Sequence, residues 1–124
     1  MLERRSVIVG GFALAILGCA GVTVKGQGRS MYGLIGKITA KPGTRTVLIQ
    51  AMTSGSGEMG GNVSYVVAED AADADTIWVT EVWTDEASHK ASLSLPAVQD
   101  AIKRARPLIA GFETLATTRP VSGL

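Results

Sequence analysis

The residues best suited to chemistry lie close together between Thr76 and Pro96, in the segment TIWVTEVWTDEASHKASLSLP. This segment contains both tryptophans and the single histidine of the 124-residue chain. The histidine, His89, is the best candidate for a general base, because the ordinary pKa of histidine, about 6.5, lies close to neutral pH. The alternative is a histidine that faces solvent on the first turns of a helix and has no role in a site.

Glu81 and Trp83 are the other candidates from this segment. A glutamate inside an otherwise apolar strand must find a partner, stay hydrated or raise its pKa, so Glu81 is either a hydrogen-bonding residue at an interface or a catalytic acid or base. Trp83 has the same parity in the strand and therefore points to the same face. It either stacks on a planar ligand or packs in the core. Trp78 has the opposite parity, which favours packing in the core or in a dimer interface.

The elements that position these residues follow from the pattern of apolar side chains and from turn and cap residues. The helix that carries His89 is predicted to have Thr84 as its N-cap and to end near Leu93. The full predicted order is strand Tyr32–Ala40, helix 45–53, strand Asn62–Glu69, strand Thr76–Trp83, helix 85–93, a further helix from Pro96, and strand 108–118.

This βαββαβ order predicts an α+β, ferredoxin-like domain with a four-stranded antiparallel sheet and helices on one face. Tyr65 and Asn62, on the strand next to the one that carries Glu81, could then donate hydrogen bonds to a substrate oxygen. Apolar residues occur at both parities of the second and third strands, so the face without helices would expose apolar side chains to water. We therefore expect a homodimer that covers this face.

Composition excludes several classes of function. The net charge is +1 and the single cysteine rules out an intramolecular disulfide and any multi-cysteine metal site. A nucleic-acid-binding domain needs lysines and arginines gathered on one face. Lys103, Arg104 and Arg106 form the only basic cluster of the predicted domain, and a solvated helix end explains them better. No nucleic-acid partner is expected.

Residues 1–30 are predicted to be a signal or anchor segment followed by a polar tether, residues 31–118 the folded domain, and residues 119–124 a tail. Arg4 and Arg5 precede the apolar run from Val7 to Leu17, which is the layout of a secretory signal. Three outcomes remain open: lipidation of Cys19 in a sequence that resembles a lipobox, cleavage by an ordinary signal peptidase, or an uncleaved membrane anchor. Each places the domain in the periplasm or outside the cell.

The strand that ends Glu81-Val-Trp83, the helix from Asp85 to His89 and the pair Leu95-Pro96 together resemble the antibiotic biosynthesis monooxygenase family, and most closely its small quinol monooxygenases. The resemblance covers residues 31–118. It implies a dimer of ferredoxin-like subunits, the dimeric α/β-barrel assembly. It also implies oxygenation of a quinol or other small polyphenol by O₂ without metal, flavin or haem.

The sequence departs from this family at two positions where many members carry histidine and this chain has Ser92 and Ala97. Its own histidine, His89, lies one helical turn earlier than Ser92. The resulting hypothesis is a monooxygenase that needs no cofactor. The alternative is a dimeric protein that binds a small ligand or haem without turnover. The predicted site comprises catalytic His89 and Glu81 and the substrate-binding residues Trp83, Tyr65, Asn62 and Ser92.

Overall fold

The computed structural model describes residues 30–54 and 59–123. Within these residues seven principal elements follow one another, and the 3₁₀ turn Arg106–Leu108 precedes the last strand. In chain order they are β1 (Tyr32–Ala40), α1 (Arg45–Thr53), β2 (Asn62–Glu69), β3 (Thr76–Trp83), α2 (Glu86–Ser92), α3 (Pro96–Ala105) and β4 (Ile109–Thr118).

The four strands form one sheet in the order β2-β3-β1-β4, and every neighbouring pair is antiparallel. This is the ferredoxin-like α+β architecture that the order of elements predicted. β1 and β3 are the central strands, so each has a hydrogen-bonded strand along both of its edges. Their register sets Leu34 opposite Glu81 and Tyr32 opposite Trp83. The end of β3 that carries the candidate residues therefore lies in the middle of the sheet.

An aliphatic core fills the space between one face of the sheet and the helices. Alternate residues of β1 and β3 point toward the helices, because successive side chains of a strand leave on opposite faces. Leu48 of α1 and Ile77 of β3 are fully buried there. The core consists of Ile38, Ala40, Leu48, Ala51, Met52, Ile77, Val79 and Ala105. It occupies one end of this layer and leaves the other end to Tyr32, Leu34 and Trp83.

The N-cap of α2 is Asp85, so the prediction of Thr84 was wrong by one residue. Asp85 has extended backbone angles, and its side chain accepts a hydrogen bond of 2.8 Å from the backbone N–H of Ser88. Thr84 instead donates its backbone N–H to the carbonyl of Gly61 at 2.8 Å. As the cap, Asp85 also places a negative charge at the helix N-terminus, where the helix dipole stabilises it.

The face of the sheet opposite the helices carries exposed apolar side chains. Val66 on β2 is 51% exposed and Leu115 on β4 is 50% exposed. Trp78 also lies on this outer face, as its parity predicted. Its indole N–H donates to the carboxylate of Asp70 at 2.8 Å, and the ammonium of Lys37 lies 5.9 Å from its ring centroid. These polar contacts hold Trp78 at one end of the outer face, away from Glu81.

The predicted signal or anchor, including lipidation of Cys19, falls almost entirely on residues outside the described range, which begins at residue 30. Those hypotheses remain predictions. Within residues 30–54 and 59–123, none of the helices combines the length and the apolar character that crossing a membrane requires.

Candidate functional site

The candidate site lies where α2 packs over the end of β3, on the helix-covered face of the sheet. Glu81 and Trp83 point to this face because they share the parity of the core residues Ile77 and Val79. The cap at Asp85 starts α2 so that His89 and Ser92, one turn apart, both face inward and are buried. Strand parity and helix phase thus bring the two predicted catalytic residues together.

Glu81 is a buried carboxylate with one direct hydrogen-bond donor in this part of the structure. Its side chain is on the central strand β3, and the residue is 6% exposed. The indole N–H of Trp83 donates to Oε1 at 2.9 Å. Burial raises the pKa of Glu81 from 4.5 to about 7, and the Trp83 hydrogen bond opposes this only in part. Glu81 can therefore gain or lose a proton near neutral pH.

His89 is buried beside Glu81 and is held between two aromatic rings. Its Nε2 lies 3.8 Å from Oε1 of Glu81. The ring of Trp83 meets it edge-on with centroids 5.3 Å apart, and the ring of Tyr32 lies tilted at 5.5 Å. Burial, followed by the charge of Lys90, lowers the pKa of His89 to about 4, so the imidazole is neutral at pH 7.

Neither ring nitrogen of His89 has a hydrogen-bond partner among the described residues, although both are buried. Buried polar atoms in native proteins nearly always have partners, and an exception calls for an explanation such as a ligand or a catalytic role. The distance to Glu81 is too long for a hydrogen bond but short enough for a strong charge interaction. The pair can therefore take up one proton from a third group placed beside it.

A pocket opens beside this pair, with a total volume of about 340 Å³ that includes the part open to solvent. The enclosed part has room for about one or two water molecules, so a ring-sized ligand requires movement of flexible side chains such as Met59. The pocket is lined by Met52, Met59, Tyr65, Glu81, Trp83, His89, Ser92, Leu93, Val98 and Ala101.

Tyr65 and Ser92, both predicted to contact substrate, line this pocket. Tyr65 on β2 is the direct cross-strand neighbour of Glu81. Burial, and then the negative charge of Glu81, raise the pKa of Tyr65 well above its usual value, so it remains a phenol at neutral pH. Ser92 donates its hydroxyl to the carbonyl of His89 at 2.7 Å. That bond leaves the serine oxygen as an acceptor toward the pocket.

Asn62, the remaining predicted substrate contact, is not part of the pocket lining. Its side-chain amide donates to the carbonyls of Ser64 and Val82, at 3.2 and 3.3 Å, where the pairing of β2 with β3 is irregular. The neighbouring Gly61 has φ +86°, and a Cβ there would lie 2.4 Å from the side chain of Ser88. Only glycine allows the start of β2 to pack this closely against α2.

The sequence reasoning missed most of the apolar walls and one aromatic residue. Tyr32 is buried against His89 and lies opposite Trp83 in the sheet. The strand register would have identified it, because residues directly opposite on one face are neighbours. Met59 and Leu93 lie in connecting segments, and no local signal marks them.

Within residues 30–54 and 59–123 there is no cluster of three histidine, cysteine, aspartate or glutamate side chains that could hold a metal ion. A haem held by histidine would need His89, the single histidine of the chain. That imidazole lies 3.8 Å from the Glu81 carboxylate and between two aromatic rings.

Comparison with known proteins supports the resemblance found in the sequence. The family model described as antibiotic biosynthesis monooxygenase matches residues 31–104. A crystal structure from Chloroflexus aurantiacus, of a protein assigned to the antibiotic biosynthesis monooxygenases, is 57% identical with a TM-score of 0.74 and covers 77% of this chain and 97% of that one. No protein of curated function matches the sequence.

More distant structures share the fold alone. A protein from Caulobacter crescentus assigned to the same family is 13% identical with a TM-score of 0.69, over 76% of this chain and 92% of that one. SnoaB from Streptomyces nogalater, described as a cofactor-independent oxygenase, is 14% identical with a TM-score of 0.62, over 77% of this chain and 97% of that one. From its sequence match and its fold, the chain belongs to the antibiotic biosynthesis monooxygenase family.

Proposed function

We propose that this protein is a cofactor-independent monooxygenase that inserts one oxygen atom of O₂ into a small quinol. The observation that supports this most is the buried imidazole of His89, which has no hydrogen-bond partner among the described residues and lies beside a carboxylate that titrates near neutral pH. A pair of this kind at the wall of an apolar pocket is suited to removing a phenolic proton.

A quinol can reduce O₂ without a cofactor once it has lost a phenolic proton. Its ring then carries enough electron density for a ring carbon to form a bond to oxygen. Loss of water from the resulting hydroperoxide breaks the O–O bond and removes the hydrogen from that carbon. One quinol and one O₂ thus give one hydroxyquinone and one water. The four electrons that O₂ accepts all come from the substrate.

The protein must then supply a proton acceptor and a dry cavity. The neutral His89 takes the phenolic proton, and the Glu81 carboxylate, 3.8 Å from Nε2, stabilises the imidazolium that results. The carboxylate can equally end with the proton itself, because its pKa lies near 7. In either case the pair returns the proton to the peroxide oxygen that leaves as water.

Trp83 and Tyr65 have roles in placing the substrate. Trp83 fixes Glu81 through its 2.9 Å hydrogen bond and presents an aromatic surface to the pocket. Tyr65 keeps its proton and so can donate a hydrogen bond to charge that develops on a substrate oxygen. The methionine, leucine and valine walls exclude water, which strengthens each of these interactions.

We further propose that the active form is a homodimer in which the outer face of the sheet meets a second copy. Val66 on β2 and Leu115 on β4 are half exposed on this face, which no described helix covers, and a second copy would bury both side chains. Size-exclusion chromatography with light scattering should give a dimer, and Val66→Lys should shift it toward monomer. A wild-type monomer at micromolar concentration would refute this part of the proposal.

The decisive experiment measures oxygen uptake with a hydroquinone and ¹⁸O₂. We expect one labelled oxygen in the hydroxyquinone and one in water, at a rate above that of a blank without protein. His89→Gln and Glu81→Gln should each lower kcat/KM by about a hundredfold, the lower end of typical general-base effects. Gln50→Ala, on the exposed side of α1, is the matched control and should keep wild-type activity.

Other outcomes are equally informative. Tight binding of the quinol without oxygen uptake would indicate a ligand-binding protein and refute the oxygenase. Uptake that survives in His89→Gln and Glu81→Gln would show that the pair is not the proton acceptor.

A further inference from the structure

The charged side chains among the described residues of the pocket lining are all of one sign. Glu81 is the one acidic side chain among the described lining residues, and the same set contains no lysine or arginine. His89 is neutral at pH 7. Lys90, next to it in sequence, is exposed and is not part of the lining. A negative charge inside this pocket therefore has no positive partner.

The proposed reaction keeps the pocket at a single negative charge. When an uncharged quinol gives its proton to Glu81, the negative charge moves to the ligand. When His89 takes the proton, the imidazolium balances the new negative charge on the ligand, so the total stays the same in both cases. A ligand that enters as an anion would instead place a second negative charge beside the carboxylate. Both charges would be desolvated, and this is strongly unfavourable without a countercharge.

We propose that Glu81 also sets the specificity of the site, so that it admits uncharged phenols, rejects aromatic acids and expels the anionic product. This inference rests on the proposed function for its substrate class. The product argument follows from general chemistry. A hydroxyl group on a quinone ring is a vinylogous carboxylic acid and ionises far more readily than the phenol of the quinol. At neutral pH it gives its proton to solvent, and its anion then faces the Glu81 carboxylate.

The pH dependence of this discrimination depends on the groups that face Glu81 from each element. Tyr65 from β2 keeps its proton, and His89 from α2 stays neutral above pH 5. The lining residues that α1 and α3 contribute, Met52, Val98 and Ala101, carry no titratable group. Glu81 is therefore the group whose ionisation changes the charge of the pocket between pH 6 and pH 8.

A matched pair of ligands tests the inference: 2,5-dihydroxybenzamide, which is neutral, and 2,5-dihydroxybenzoate, which is an anion of nearly the same shape. Anaerobic calorimetry at pH 8 on the full chain measures binding apart from turnover. Wild type should bind the amide at least tenfold more tightly than the acid, and the ratio should shrink at pH 6. Glu81→Gln should bind the acid at least tenfold better than wild type does. Asp100→Asn, at an exposed position of α3 outside the pocket lining, should behave as wild type.

A second variant makes the test independent of Glu81. Leu93→Lys adds the missing cation to the pocket wall and should favour the acid over the amide. Equal affinity of wild type for both ligands, or an unchanged ratio in Glu81→Gln, would overturn the inference. Oxygen uptake that persists in that case would leave the oxygenase proposal intact. The expected ratio of affinities, measured together with an absence of oxygen uptake, would support the specificity for uncharged ligands and refute the oxygenase. If neither ligand binds, both proposals are refuted.

Discussion

Replacing Glu81 by glutamine should stabilise the protein at alkaline pH, because the fold buries a carboxylate that becomes ionised there. The pKa of Glu81 is raised from 4.5 to about 7 on folding. The unfolded chain therefore releases this proton at a lower pH than the folded protein does. The contribution of Glu81 to stability is fully present below pH 4.5 and is lost as the pH rises through 7.

The size of the effect follows from the shift in pKa. At 1.36 kcal/mol per pKa unit the rise corresponds to about 3 kcal/mol, most of which develops between pH 5 and pH 8. Glutamine has a similar shape and cannot ionise. Glu81→Gln should therefore resemble wild type at pH 5 and exceed its free energy of unfolding by about 2–3 kcal/mol at pH 8.

His89 acts in the opposite direction. Its pKa falls from 6.5 to about 4 on folding, so its contribution is fully present above pH 6.5 and is lost as the pH falls through 4. Between pH 4.5 and 6.5 the two contributions nearly cancel in wild type, because the unfolded chain gains one proton at histidine and loses one at glutamate. In Glu81→Gln only the histidine contribution remains, so the free energy of unfolding of this variant should rise with pH across this window.

Urea unfolding followed by circular dichroism at several pH values measures this, with the protein concentration held constant because a dimer would make stability depend on it. Asp100→Asn is the control, since that aspartate is exposed on α3 and should leave the profile unchanged. A Glu81→Gln profile that stays within about 0.5 kcal/mol of wild type from pH 5 to pH 8 would refute the argument, because it would mean that Glu81 ionises freely in the folded state.

Three further predictions concern the site and its support. The proton acceptor is competent only when Glu81 is ionised. In wild type, kcat/KM from steady-state oxygen uptake should therefore rise with pH through an apparent pKa near 7, which gives the pH profile a rising limb. The profile of Glu81→Gln should lack this limb. Trp83→Phe removes the N–H that lowers the pKa of Glu81, so the same limb should move to higher pH, and a limb that stays in place would show that this hydrogen bond is weak. Leu48→Ala opens a cavity at a fully buried position and should lower the free energy of unfolding by about 2–5 kcal/mol in urea titrations, whereas a loss below about 1 kcal/mol would show that the core relaxes around it.

The fold could be predicted because its signals are local. Segments rich in β-branched and aromatic residues, and turns marked by Gly, Pro and Asp, predicted the right order of elements. At the β2–β3 turn, Asp70 accepts the backbone N–H groups of Ala72 and Asp73, each at 2.8 Å. Such a turn is stabilised by hydrogen bonds from its own side chains, so a few adjacent residues are enough to predict it.

Helix ends are less certain from sequence, and the start of α2 illustrates the reason. Thr84 and Asp85 are both good caps, and local preference does not separate them. The choice is made by Gly61, whose carbonyl accepts the backbone N–H of Thr84 and so holds that residue against the start of β2. The deciding contact comes from a residue far away in the sequence.

By itself, the sequence determined that Glu81 and Trp83 share a face, because strand parity is fixed by the backbone. It also identified the candidate residues for the proposed chemistry. It left open whether His89 faces solvent or a pocket, and it gave no reason to separate Asn62 from Tyr65. Only the tertiary structure decided these points, by laying α2 across the sheet so that His89 is 1% exposed and lies beside Glu81. Burial is the main cause of both pKa shifts, and burial depends on how elements that are not adjacent in the chain pack together.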